Sequence, residues 1–149
     1  MAGYHLAQLN IGITTAGLES PQMADFMNNL DRINAIADAA EGFVWRLQTD
    51  EGNSTSLRPF GDDTLVNMSV WTDIDSLKAF MYKTDHVEFL RRRREWFVHQ
   101  EEAILVLWWV PAGHIPSVEE ARERLDRLRA NGATQDAFTL RQNYPPPSD

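Results

Sequence analysis

The chain has no cysteine among its 149 residues. That absence excludes disulfides, thiolate nucleophiles and cysteine-ligated metals together. It also has no apolar run approaching the roughly 18 residues a membrane-spanning helix needs. No basic segment precedes an apolar stretch near the N-terminus, so no secretory signal is expected and the sequence reads as cytoplasmic. The zinc patterns His-x-x-x-His and His-Glu-x-x-His do not occur. Neither do a Gly-x-Gly-x-x-Gly fingerprint, a phosphate loop or a Gly-x-Ser-x-Gly elbow, so no metal and no nucleotide cofactor is expected. Positive charge is scarce: 14 Lys and Arg stand against 22 Asp and Glu, for a net charge of −8. That balance argues against nucleic acid as a partner. The one dense basic run, Arg91 to Arg94, is diluted by Glu88, Glu95, Glu101 and Glu102. Arg91 and Arg92 read as a solvated, salt-bridged helix face.

What the chain does contain is periodicity. Thr64 to Trp71 alternates with period two: Leu65, Asn67, Ser69 and Trp71 share one face, Val66, Met68 and Val70 the other. The second face is purely apolar and is expected under helices. The first mixes small polar groups with an indole, as a pocket wall would. Tyr4 to Ile13 and Phe43 to Thr49 alternate in the same way; the latter places Phe43, Trp45 and Leu47 opposite Val44, Arg46 and Gln48. Ala103 to Val110 is apolar on both faces and is expected to be buried on both. Helical spacing runs from Ser20-Pro21 to about Ala40, with Ser as N-cap and Pro at the first helical position. It recurs from a cap at Thr72 or Asp73 to Tyr82, from His86 after a cap at Asp85, and from a capping box at Ser117 to about Asn131. Asp50 to Asp63 is a loop, Ala137 to Leu140 a possible short strand, and the proline-rich end an extended tail from 141 to 149. One domain covering residues 1–149 is expected.

The order β-α-β-β-α-α-β-α fits an α+β, ferredoxin-like β-α-β-β-α-β core with extra helices and an antiparallel sheet. In such a core helices clad one sheet face, and the other needs cover. The segment Trp71, Leu77, Phe80, Thr84-Asp85-His86 and Phe89-Leu90 resembles the signature of the antibiotic-biosynthesis-monooxygenase-like families, within the dimeric α/β-barrel superfamily. Gly42-Phe-Val-Trp-Arg46, Arg92-Arg93 before Trp96-Phe97, and Leu107-Trp-Trp-Val-Pro111 before Gly113-His114 resemble an uncharacterised bacterial family within it. The resemblance spans residues 4 to 145. It implies a homodimer closing a barrel sheet to sheet, with the mixed polar-aromatic face lining the cavity or the interface.

On a wheel of about 100° per residue, His86, Leu90, Arg93 and Phe97 fall on one arc, with Phe89 and Trp96 beside it. His86 at a helix start is favoured as a neutral ring able to accept a proton. Arg93 within an apolar arc needs a partner, either a structural carboxylate or an anionic substrate group. Asn67-x-x-x-Trp71 resembles the pair in cofactor-independent quinone-forming monooxygenases, where amide and indole contact a polyphenol and the substrate carbanion reduces dioxygen. The expected function is therefore a small-molecule enzyme acting on an apolar or aromatic, polyphenol-like or polyketide-like substrate, as a cofactor-independent monooxygenase or a cyclase or isomerase. His86 would be the base and Arg93 the anion clamp, with Trp45, Asn67, Ser69, Trp71 and Trp96 binding substrate. Two alternatives stand beside it: a haem protein with His86 as axial ligand and Arg93 at a propionate, or a non-catalytic module for a hydrophobic metabolite. Among the other histidines, His114 is the stronger candidate; His5 and His99 read as structural or solvated.

Overall fold

Strand β1 (Tyr4–Ile13) and strand β3 (Thr64–Trp71) form where the two-residue alternation predicts them, and they pair antiparallel through the middle of the sheet. With β2 (Phe43–Arg46) and β4 (Leu105–Pro111) they make one four-stranded sheet in the order β2-β3-β1-β4, every pair antiparallel. That is a ferredoxin-like α+β fold. The computed structural model describes residues 3–50 and 52–147. Glu51 of the predicted loop and Ser148 and Asp149 of the predicted tail lie outside the described residues.

Five helices follow the capping chemistry with local exceptions. A 3-10 turn (Pro21–Met23) leads into α1 (Ala24–Ala39). Pro21 takes the first position as expected, but the Ser20 hydroxyl caps nothing and donates back to the Gly17 carbonyl at 2.6 Å. Helix α2 (Ile74–Lys83) is capped by Asp73, which accepts from the Ser76 N–H at 2.7 Å. Asp85 does not cap the next helix; its carboxylate pairs with Arg32 at 2.6 Å, and Thr84 Oγ1 accepts the His86 N–H instead. The helix predicted from His86 is two short ones, α3 (His86–Arg91) and α4 (Arg93–Trp96). The break falls at Arg92, whose guanidinium is shared between Asp25 of α1 and Glu95. Helix α5 (Val118–Asn131) is capped by Ser117 and leaves through Gly132. Residues 137–140 add no strand, only isolated bridges from Phe138 to Leu107 and from Ala137 to Thr134. The tail is anchored: the Tyr144 carbonyl accepts from Trp109 Nε1, and its hydroxyl donates to the Ala133 carbonyl.

Both faces of the sheet carry helices, which departs from the expectation of one clad face. The apolar face of Ala7, Leu9, Val66, Met68, Val70, Val106 and Trp108 lies under α5, with Ala121, Leu125 and Leu128 packed on it. Each fully buried side chain of that kind contributes about 1.5–3 kcal/mol. The mixed face lies under α1 to α4 of the same chain. Its cavity is thus built within one chain, between the sheet and these helices, and not against a twin's sheet. No helix among the described residues is long and apolar enough to cross a membrane.

Candidate functional site

On the mixed face, side chains from β1 and β3 stand in paired rows: Leu6 with Trp71, Gln8 with Ser69, Asn10 with Asn67, Gly12 with Leu65. These rows are the floor of a cleft of about 160 Å³. Phe26, Leu30 and Ile33 of α1 form one wall; Phe80 and Met81 of α2, then His86, Phe89, Leu90, Arg93, Trp96 and Phe97, form the other. The wheel arc drawn from the sequence is therefore a cleft wall, even though the helix is broken.

The floor carries a polar ladder. Gln8 is buried, and its side-chain amide donates to Asn67 Oδ1 and to Ser69 Oγ, each at 2.7 Å. Trp71 Nε1 also donates to Ser69 Oγ, at 2.9 Å. A hydroxyl with both lone pairs engaged presents only its O–H, so Ser69 is left as a donor. Asn67, with its oxygen engaged by Gln8, keeps its amide N–H groups and stands at the open part of the cleft. Gln8 was not among the sequence candidates. Its parity on β1 matched Asn67 and Ser69, which was the available signal. Trp71 differs from the role the resemblance implies: its N–H is spent on Ser69, and its ring is buried, stacked on Phe80 at 5.2 Å.

His86 is half-buried, its ring 4.7 Å from that of Phe80 and 6.4 Å from that of Phe89. Nδ1 lies 3.3 Å from the Met81 carbonyl. A carbonyl cannot donate, so Nδ1 carries the hydrogen there and the lone pair of the neutral ring sits on Nε2. Nε2 has no hydrogen-bond partner among the described residues. Burial lowers the imidazole's pKa from its ordinary 6.5, against a smaller opposing effect of the Met81 contact. The ring is thus neutral at pH 7, an acceptor inside an apolar wall.

Arg93 has the opposite electrostatic problem. Its guanidinium stacks over the Phe97 ring at 5.1 Å and makes one long contact, 3.4 Å, with the Ile11 carbonyl. It forms no ion pair among the described residues, and burial alone pushes its pKa down. Of the two partners open to it from the sequence, the structural carboxylate is missing. Arg91 is paired with Glu88 and Arg92 with Asp25 and Glu95, while Arg94, which has no ion pair among the described residues, is exposed to solvent. The Phe97 platform depends on Gly12, where a Cβ would come within 2.6 Å of the ring.

Trp45 does not line the cleft. A bulge between Phe43 and Trp45 shifts the register, so Phe43 stays opposite Trp71 while Trp45 pairs with Val70. Trp45 therefore packs on the α5 face, and Arg46, opposite Ser69, takes the place on the cleft side. Arg46 is neutralised by a two-pronged pair with Asp38, at 2.7 and 3.2 Å, and also bonds the Gly52 carbonyl. The turn before the bulge needs Gly42, at φ +84 and tight against Ser76. Trp96 is buried in the wall, edge-on to Phe26 and Phe89, with its Nε1 unpartnered. His114 lies outside the cleft; its Nε2 bonds Glu120, which also accepts from Trp108 Nε1. His5 and His99 are outside it too, and no cluster of His, Asp and Glu suited to a metal ion occurs among the described residues.

Among the described residues no carboxylate lines the cleft. The arrangement can take a proton at Nε2 of His86 and hold one negative charge at Arg93. The lining amide and hydroxyl donors can grip oxygen.

A model of the family described as domain of unknown function DUF3291 matches residues 5–149. No curated protein matches the chain. Among solved structures, the chain is similar to SnoaB, a cofactor-independent oxygenase from Streptomyces nogalater, at 15% identity and a TM-score of 0.46, covering 76% of this chain and 96% of that one. A protein of unknown function from Nitrosomonas europaea gives the same four values. A Dabb family protein with a ferredoxin-like fold from Mesorhizobium loti matches at 14% identity and a TM-score of 0.43, covering 77% and 98%. These likenesses concern the course of the chain and say nothing of its chemistry.

Proposed function

The chain belongs to the DUF3291 family, and from the cleft it builds we propose that it is a cofactor-independent enzyme that removes a proton from a small acidic aromatic or enolisable molecule. His86 Nε2 accepts the proton. Arg93 holds the substrate's negative charge, and Ser69 and Asn67 donate to its oxygens. The observation that carries this reading is the pairing, in one apolar cleft, of a neutral imidazole with a free nitrogen and a guanidinium with no counter-ion. An apolar site strengthens both interactions, because water does not compete for them.

Two outcomes share that first step. A carbanion that meets dioxygen can convert a CH₂ beside the ring to C=O, consuming one O₂ and releasing one water. Returning the proton to a different atom gives isomerisation or cyclisation and leaves dioxygen untouched. An oxygen electrode separates them. Solvent deuterium exchange into the C–H positions of polyphenols and 1,3-diketones, over the uncatalysed rate, tests the shared step. His86→Ala should slow exchange about 10²–10⁴-fold, the range for a positioned base. Exchange at the wild-type rate in that variant would remove the base; binding without any exchange in the wild type would leave a binding module.

The residues do not fit haem. Pockets for drug-sized ligands run to about 300–1,000 Å³, whereas this cleft is about 160 Å³.

A further inference from the structure

The ends of the cleft differ, and the difference specifies a substrate class. His86 stands over the Trp71 end of the floor, through Phe80, which touches both rings. Arg93 reaches the Ile11 carbonyl, between the rows of Asn10 and Gly12. From Ile11 back to Leu6, whose row holds Trp71, is five strand residues, roughly 16 Å along the floor at about 3.3 Å each. Between the two ends the wall is aromatic: Phe89 faces Phe26 at 5.4 Å, and Phe26 meets Phe97 at the same distance. The volume is small, about 160 Å³, and a dry cavity of about 150 Å³ takes a benzene.

We propose that the substrate is a single-ring aromatic monoanion bound lengthwise, its standing carboxylate on Arg93 and its acidic group at the opposite end against His86. The proposal rests on the reading of the cleft as a deprotonating site and narrows it. A polycyclic polyketide exceeds the volume of the cleft. A charge that developed only on deprotonation would form at the His86 end, too far from the guanidinium for Arg93 to be its main partner. Arg93 is then a binding residue for a charge already present, and the selectivity it gives exists before any chemistry. Arg46 does not compete for the carboxylate, because Asp38 already occupies its fork.

The test is binding of benzoate, its neutral isostere benzamide, and 9-anthracenecarboxylate to the full chain, read by calorimetry and by quenching of tryptophan fluorescence. Benzoate should bind at least tenfold tighter than benzamide, and the tricyclic acid should not bind. Arg93→Gln should reduce the benzoate preference to within about twofold of benzamide, while His86→Ala should leave it intact. With a turned-over substrate, Arg93→Gln should raise KM and spare kcat, and His86→Ala should do the reverse. Equal binding of benzoate and benzamide, or a preference that survives Arg93→Gln in a folded protein, overturns the proposal. Tight binding of the tricyclic acid overturns its size limit. If the preference holds but no exchange or turnover is found, the deprotonating role fails while the anion site stands.

Discussion

The two faces of the sheet are built from the same residue types and treat them differently. Under α5, His114 is bonded to Glu120, and Glu120 also takes the N–H of the buried Trp108. Across the sheet, His86 keeps a free Nε2 and Trp71 serves a serine whose hydroxyl is left over. Within the cleft the same contrast recurs between two arginines. Arg46 is two-pronged with Asp38, and Arg93 has no anion among the described residues. On the α5 face Glu120 ties His114 to Trp108, although His5 Nδ1 on the same face is buried without a partner. The cleft face leaves the His86 acceptor, the Arg93 cation and the buried Trp96 N–H incomplete, and the first two are the groups a ligand could complete.

The sharpest way to separate the faces is to damage each in turn. Trp108→Ala empties a fully buried site on the α5 side and should destabilise the protein by about 3–5 kcal/mol, seen in urea unfolding. If ligand binding fell while stability held, the α5 face would not be the structural one. His86→Ala should leave the melting temperature nearly unchanged while turnover falls as stated; unfolding in that variant would move His86 to the structural side. Next in size, the two arginines should part company. Arg46→Met strands Asp38 and frees the Gly52 carbonyl, and should cost about 1–2 kcal/mol. Arg93→Met removes an unpaired, half-buried charge and should leave stability unchanged or slightly raised. Equal losses in the two variants would show that Arg93 has a structural partner.

The smallest expected effect is on pH dependence. His86 has a folded pKa below 6.5, so the unfolded chain takes up a proton there before the folded one does. Its contribution to stability is therefore complete above pH 6.5 and is lost as pH falls from 6.5 through the lower folded value. The acid limb of kcat/KM should likewise lie below 6.5. A limb at or above 6.5 that disappears in a His86 variant would show the ring is not buried as drawn.

Much of this was legible in the sequence because it depends on local spacing. The alternation in β1 and β3 fixed which side chains share the floor, and the helical arc of His86, Leu90, Arg93 and Phe97 gave one wall. What was not legible depends on partners distant in sequence. Arg93's missing carboxylate could be seen only once α1 was in place, with Asp25 committed to Arg92. Placing α5 on the apolar face needed the tertiary path, since a capped amphipathic helix does not say which sheet face it will cover. Trp45 was misplaced because simple alternation assumes an uninterrupted ladder, and the irregularity beside Val44 breaks it.

That irregularity gives this protein a one-residue lever on its own specificity. The extra residue is what brings the guanidinium to the hollow: were Val44 to pair with Val70 in an unbroken ladder, the indole would stand opposite Ser69 and Arg46 would be driven among aliphatic groups opposite Met68. Relatives whose second strand has the same length but pairs without that irregularity should therefore differ in what they accept, even with every other lining side chain unchanged.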